Sequence, residues 1–381
     1  MAKDINKSAF DLATKIKLDI FRESFKEWLP IFIHTPYVEK RFIYDFFAGS
    51  GMDSDKNFGS PLILLDEAKG ENLKHCSKSE GKKIVFAFNE KLKKKNKELE
   101  VNIKEFVNNC LQNCNREKCV YEHHFGNFNF KEAFKRPKVL EIMKNKNYGK
   151  FVLLDQYGFK EVDNDIFTQL INFPKTDFIF FISSSFINRF QNHDSIKKYI
   201  ETEKIEFKKS EPKHCHKLVS QYFKDLIPKN KDYYLHQFSI RKGTNYYGLV
   251  FGTGHTLGME KFLKVCWDKD KMAGEANFDI NNDFQLGTLF YNEKFSNKIE
   301  KFKEEFTTKI LNNEIVSNIQ GLKFTLKSGI QTRIYLEIIL NLLENDKIEI
   351  TRGRFNEKVI NIHKLKYSEV YEFSEKVSYI S

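Results

Sequence analysis

At 381 residues the chain exceeds one average domain, and 41% hydrophobic with 15% aromatic content excludes a disordered polypeptide. A net charge of +11 favours polyanionic partners, yet it is spread thinly: residues 69–97 hold ten Lys against three Glu, residues 130–150 seven Lys/Arg against two Glu, and residues 301–381 thirteen against eleven. That spread fits a solvated basic surface as well as a nucleic-acid face. No apolar run approaches the roughly 20 residues of a membrane span. The N-terminus lacks the apolar core of a signal peptide and the six Cys are scattered, so a cytoplasmic setting with reduced thiols and no membrane partner is expected.

Residues 8–31 place Phe10, Leu12, Ala13, Ile16, Ile20, Phe21, Phe25, Trp28 and Leu29 at spacings near three and four. They predict an amphipathic helix whose polar face carries Asp11, Thr14, Lys15 and Lys17. Arg41–Phe47 predicts the first strand, Gly59-Ser60-Pro61 punctuates the loop before the helix LILLDEA, and KKIVFAFNE predicts a second strand ending on Asn89 and Glu90. Lys91 to about Cys114 reads as a Lys-rich helix, and Cys119–Phe125 as a third strand with Asn127 just past it. Residues 130–147 read as helical, and Lys150–Leu154 as a fourth strand ending at Asp155-Gln156-Tyr157-Gly158. A helix over 163–172 and the strand TDFIFFISSS follow. This alternation predicts an α/β fold with a doubly wound, Rossmann-like sheet, whose ligands sit beyond the C-terminal strand ends. Asp45, Glu90, Asn127 and Asp155 all fall there.

Residues 191–242 read as basic and mainly helical, Tyr246–Gly252 as another strand and Gly258–Trp267 as a helix. Residues 296–313 predict a charged helix, and Lys327–Asn345 another with an apolar stripe through Ile330, Ile334, Leu336, Ile339, Leu340 and Leu343. Two short β runs, KIEIT and EKVINIH, are split by Arg352-Gly353-Arg354. Helices followed by a two-stranded wing resemble a winged-helix module, with Lys327, Arg333, Arg352 and Arg354 as candidate nucleic-acid contacts. The expected organisation is a Rossmann-like domain over 1–285, with a helical extension over about 191–285, and a winged-helix-like domain over 286–381.

The stretch RFIYDFFAGSGM, Arg41–Met52, is the most informative. An apolar run that stops on an acid and turns through glycines lets a ligand approach the backbone while a carboxylate takes a donor. The turn lacks the third glycine of GxGxxG and the Lys-Ser/Thr of a P-loop. The pattern D-x-F-A-G-x-G instead resembles the first motif of S-adenosylmethionine-dependent methyltransferases, with Asp45, Phe47, Gly49 and Gly51 around a phosphate-free cofactor; the bland alternative is an ordinary strand-to-helix turn. Glu90 stands where Rossmann folds place an acid for ribose hydroxyls, or it pairs with Lys93 or Lys94 beside a helix start. Asp155-Gln156-Tyr157-Gly158 occupies the place of the D/N-P-P-Y motif of amino-methyltransferases without its prolines, making Asp155 and Tyr157 the catalytic candidates. Cys110, Cys114, Cys119, His123 and His124 supply enough ligands for zinc, but no CxxC is present and buried helix thiols are the commoner explanation, so no metal is expected. Ser183-Ser184-Ser185 lacks a G-x-S-x-G frame and reads as a polar strand end, and His255 either caps the next helix or lines a cleft. No paired-carboxylate nuclease motif is present.

The chain resembles the three-Cys-motif partner family, bacterial proteins with a methyltransferase-like Rossmann domain. The resemblance runs through DLATKIKLDIF, YDFFAGSGM with FGSPL, VFAFNE, FGNFN, VLLDQYGFKEV, FIFFISSSFINRF and YYGLVFGTGHTLGMEKFLKVCWDKDKMAGEANFDI, at intervals over about residues 10–285. It implies Asp45, Gly49, Gly51, Glu90 and Asn127 around S-adenosylmethionine, Asp155–Gly158 near the transferred group, and a three-Cys-motif partner protein, to which the three Cys of the name belong. The chain departs from the family in Gln156, where Pro is usual, and in Asn127, where an acid is usual. The expected function is methyl transfer from S-adenosylmethionine to nucleic acid. The alternative is a non-catalytic nucleotide or nucleic-acid sensor, or a partner-recruiting module of a phage-defence or mobile-element operon.

Overall fold

The computed structural model describes residues 8–71, 74–114, 116–283, 297–352 and 372–375. The chain packs as two compact units, the first running to Gly258 and the second beginning at Met259. The boundary expected at residue 285 lies outside the described residues.

In chain order the first unit contains α1 (Leu12–His34), β1 (Lys40–Asp45), α2 (Ser60–Lys69), α3 (Lys74–Lys78), β2 (Lys83–Asn89), α4 (Lys93–Cys114) and β3 (Glu122–Gly126). It continues with α5 (Phe130–Lys135), α6 (Pro137–Lys144), β4 (Tyr148–Leu154), α7 (Asn164–Asn172), β5 (Thr176–Ile182), α8 (Ser184–Arg189), α9 (Asp194–Lys197), α10 (Cys215–Asp225), β6 (Tyr234–Lys242) and β7 (Asn245–Thr253). Seven strands form one sheet in the order β3-β2-β1-β4-β5-β7-β6. The first five are parallel and β7 runs against both neighbours. This is a doubly wound, Rossmann-like sheet. Its strand order reverses between β1 and β4, the switch point beside which ligands bind in such sheets.

Helices cover both faces, so these strands are buried on both sides and read as unbroken apolar runs. Phe42, Ile43 and Tyr44 in β1, Phe151–Leu154 in β4 and Phe178–Phe180 in β5 are all core residues. Asp11 starts α1 by accepting the Thr14 amide at 2.9 Å, and Arg136-Pro137 divides the helix expected over 130–147 into α5 and α6.

Three sequence expectations are corrected. Residues 234–242, expected within a mainly helical stretch, are strand β6, joined to β7 through Gly243 at φ +57°. Lys17, assigned to the polar face of α1, is buried. The helix expected over 327–345 is broken: α13 (Asn318–Lys327) ends where α14 (Thr332–Glu344) has yet to begin, with Gly329 at φ +69° between them.

The second unit takes in most of α11 (Thr256–Lys269), then α12 (Asn297–Leu311), α13, α14, β8 (Ile348–Arg352) and β9 (Glu372–Glu375). Phe306 of α12 meets Tyr335 of α14 edge-on at 5.6 Å, and a Cβ on Gly321 of α13 would stand 2.7 Å from the Tyr335 ring, so the three helices are closely packed. β8 and β9 are antiparallel, and Ser317 bridges to Glu372. The run EKVINIH lies outside the described residues.

Candidate functional site

β1, β2 and β3 end side by side, and their loops are tied together by backbone and amide contacts. The Ala48 amide donates to Asn89 O at 3.0 Å and the Glu90 amide to Gly126 O at 3.0 Å. Asn89 saturates its side chain there: its amide donates to Phe46 O and Phe128 O, and its oxygen accepts the Phe128 amide. Asn127 donates to Glu90 O at 2.7 Å and Lys91 O at 2.9 Å, so it anchors the loop that presents Glu90.

The glycine turn is built for close backbone approach. Gly49 and Gly51 sit at φ +63° and +84°, where side-chain-bearing residues are strained. The Gly49 amide donates to Glu90 Oε2 at 3.0 Å, while Glu90 Oε1 accepts the Leu92 amide at 2.7 Å. Each Glu90 oxygen therefore keeps a lone pair for a further donor. Gly51 faces the protein, where a Cβ would meet Leu99 at 3.0 Å.

Asp45 is enclosed. It accepts the Ser60 hydroxyl at 2.6 Å and the Phe47 amide at 3.1 Å, and thereby holds the turn from behind. Burial pushes its carboxyl up to about 7 against the pull of those two hydrogen bonds, and the neighbouring Asp155 and Glu90 carboxylates add to the rise. The acids that follow β2 and β4 thus each lie within electrostatic reach of Asp45. Phe47 is half-buried and packs on Phe130 with ring centroids 5.1 Å apart.

Sequence reasoning missed the partner of Asp155. Lys17 of α1 donates to both its oxygens, at 2.7 and 2.6 Å, with side-chain exposures of only 10% and 17%. Its ammonium also lies 4.8 Å from the Phe181 ring centroid. Gln156 turns inward, accepting the Glu161 and Val162 amides on its side-chain oxygen. Tyr157 instead is 65% exposed, and the loop that carries it is tied to the start of α8 by the Ser183 amide, which donates to Gly158 O at 2.9 Å; Phe186 of α8 and Phe190 just past it are 44% and 42% exposed. The Phe186 and Phe190 rings lie 4.7 Å apart.

The other candidates fall elsewhere. Ser184 is buried, its hydroxyl 2.8 Å from His216 Nδ1, while His216 Nε2 lies 3.1 Å from Leu249 O; burial lowers this imidazole to about 4. This pair fastens α8 and α10 to β7. His255 accepts the Leu257 amide at 3.1 Å and caps α11. Among the described residues no three His, Cys, Asp or Glu side chains stand where they could hold a metal ion, and burial raises the thiols of Cys110 and Cys119. Lys327 ends α13 and Arg333 opens α14, both in the second unit, where exposed Arg352 lies 3.4 Å from Glu372. Arg354 lies outside the described residues. No described helix is long and apolar enough to cross a membrane.

No protein-family model matches the chain, and no curated protein matches it. Similar solved structures include Trm1 from Pyrococcus horikoshii in complex with S-adenosyl-L-methionine, at 9% identity and TM-score 0.37, covering 67% of this chain and 59% of that one. The METTL16 methyltransferase domain is 10% identical with TM-score 0.30 over 61% of this chain and 66% of that domain. TYW2 from M. jannaschii, in complex with AdoMet, is 11% identical with TM-score 0.29 over 65% of this chain and 78% of that one. Likeness at these TM-scores carries no argument, and the fold and the site rest on their own geometry.

Proposed function

We propose that the chain is an S-adenosylmethionine-dependent methyltransferase acting on nucleic acid. The observation that carries this reading is the gathering of Asp45, Glu90 and Asp155 at adjacent strand ends around a glycine turn. The donor set suits the cofactor. Glu90 has lone pairs for the two hydroxyls of a ribose, and Gly49 leaves room at the backbone. When bound, the cofactor supplies a methyl group on a good leaving group, so the protein's work is alignment. Glu90, Gly49 and Phe47 would hold it, while Asp45 and Gly51 act from behind as positioning residues. Asp155 orients the acceptor by receiving a hydrogen bond from it, and exposed Tyr157 offers a ring for a flipped or single-stranded base.

Calorimetric titration with S-adenosylmethionine tests the reading. Saturable heat is expected from the parent chain and at least a tenfold weaker affinity from Glu90→Ala, about 1.4 kcal/mol. No heat from a folded parent overturns it. Radiolabelled methyl transfer to RNA and DNA is then expected to be lost in Asp155→Ala.

One observation favours a second reading, a non-catalytic sensor that recruits a partner, such as the three-Cys-motif protein implied by the family resemblance. Lys17 already engages both Asp155 oxygens, and Gln156 folds inward at the position of the rigid proline. Cofactor binding without label transfer to any nucleic acid selects this reading.

A further inference from the structure

The second unit carries a cavity of about 350 Å³ between α11 and the turn joining α13 to α14. It is lined by four cations, Lys261, Lys264, Lys271 and Arg333, against two acids. Lys261, Lys264 and Asp268 follow one another at spacings of three and four, which sets them on a single face of α11, and Lys271 continues the row just past the helix end. Glu260 accepts the Thr332 hydroxyl through Oε1 at 3.0 Å, and Asp268 pairs with Lys271 at 3.0 Å, an exposed pair that a phosphate can compete for. Four cations against two acids leave the lining with a net positive charge. Its volume matches a nucleotide-sized group, near the lower end of ordinary ligand sites.

The outward face of α14 contrasts with it. Glu337, Asn341 and Glu344 are its exposed residues beyond Arg333, so this helix offers acids where a base-reading helix presents donors. Sequence-independent phosphate contact is what the cations lining the groove can provide. We propose that this groove holds the backbone phosphates of a nucleic-acid strand, with Lys264, Lys271 and Arg333 as the contacts. The inference deepens the nucleic-acid reading above and assigns the strand a seat of its own in the second unit.

The test is fluorescence anisotropy of the full chain with a labelled RNA strand of about 20 nucleotides and a DNA duplex of equal length, over a salt series. The triple variant Lys264→Ala, Lys271→Ala, Arg333→Ala is expected to weaken binding at least tenfold and to reduce the slope of log affinity against log salt by about 2 to 3. A control triple, Lys301→Ala, Lys303→Ala, Lys347→Ala, removes the same charge outside the groove and is expected to change the slope by less than about 1. Equal losses in both triples, no loss in the groove triple, or a parent chain that binds neither strand overturns the proposal. The cofactor titration separates the two readings. Parental S-adenosylmethionine heat in the groove triple shows an intact first unit whatever the strand does, and strand binding retained in Glu90→Ala leaves the groove standing if the cofactor reading fails.

Discussion

The pairing of Lys17 with Asp155 sets the character of the site at the residue scale. Two charges with side-chain exposures of 10% and 17% have lost most of their hydration, and removing one leaves the other to bear that loss alone. Lys17→Met is therefore expected to lower unfolding free energy by about 2 to 4 kcal/mol, whereas adding Asp155→Asn should restore most of it by removing the orphaned charge. Urea denaturation of the parent, both singles and the double measures this coupling. A loss of about 1 kcal/mol or less in Lys17→Met, the range of an exposed pair, refutes it. The pair also bears on chemistry, because an acceptor must share the Asp155 oxygens with the ammonium already there.

At the scale of elements, the reversed strand β7 is fitted to its neighbours through missing side chains. A Cβ on Gly248 would stand 2.1 Å from the His216 ring, and that ring is held at both nitrogens by Ser184 and Leu249 O. Gly248→Ala is expected to cost about 3 kcal/mol through overpacking. In a His216→Ala background the same change should be almost neutral, and thermal unfolding of the four chains reads the difference. An undiminished penalty in that background means the ring is not the obstacle. The same packing explains what could be read from sequence. The runs Phe42–Tyr44, Ile84–Phe88, Phe151–Leu154 and Phe178–Ile182 were legible because parallel strands covered on both faces select continuous apolar letters. The acids just beyond them were legible for the same reason. β6 was not, since His236, Gln237 and Ser239 interrupt its run while buried, with the Ser239 hydroxyl satisfied by Gln237 at 2.9 Å. Lys17 was illegible because its partner lies 138 positions away, beyond any local periodicity.

For the molecule as a whole, the site imposes a pH-dependent stability penalty. The Asp45 carboxyl titrates near 7 in the folded chain against 3.8 as a free side chain, so between those values the folded state binds more protons than the unfolded state. Stability from this group is fully present below about 4 and is lost as pH rises to about 7. Asn at this position does not titrate, keeps an acceptor for Ser60 or Phe47, and carries no buried charge. Asp45→Asn should therefore gain on the parent progressively from about pH 4, by up to roughly 4 kcal/mol, and the gain should level off above about pH 7. Other buried groups titrate in the same or the opposite sense: Asp177 is raised to about 6 by burial and His216 lowered to about 4, but they act alike in both chains and cancel in the difference. Urea midpoints of parent and variant at pH 5 and pH 8 decide the matter, and a gap of the same size at both pH values refutes it. A variant that is more stable above pH 7 yet binds S-adenosylmethionine more weakly would show that the enclosed carboxylate is retained for the pocket it shapes, at the expense of the fold around it.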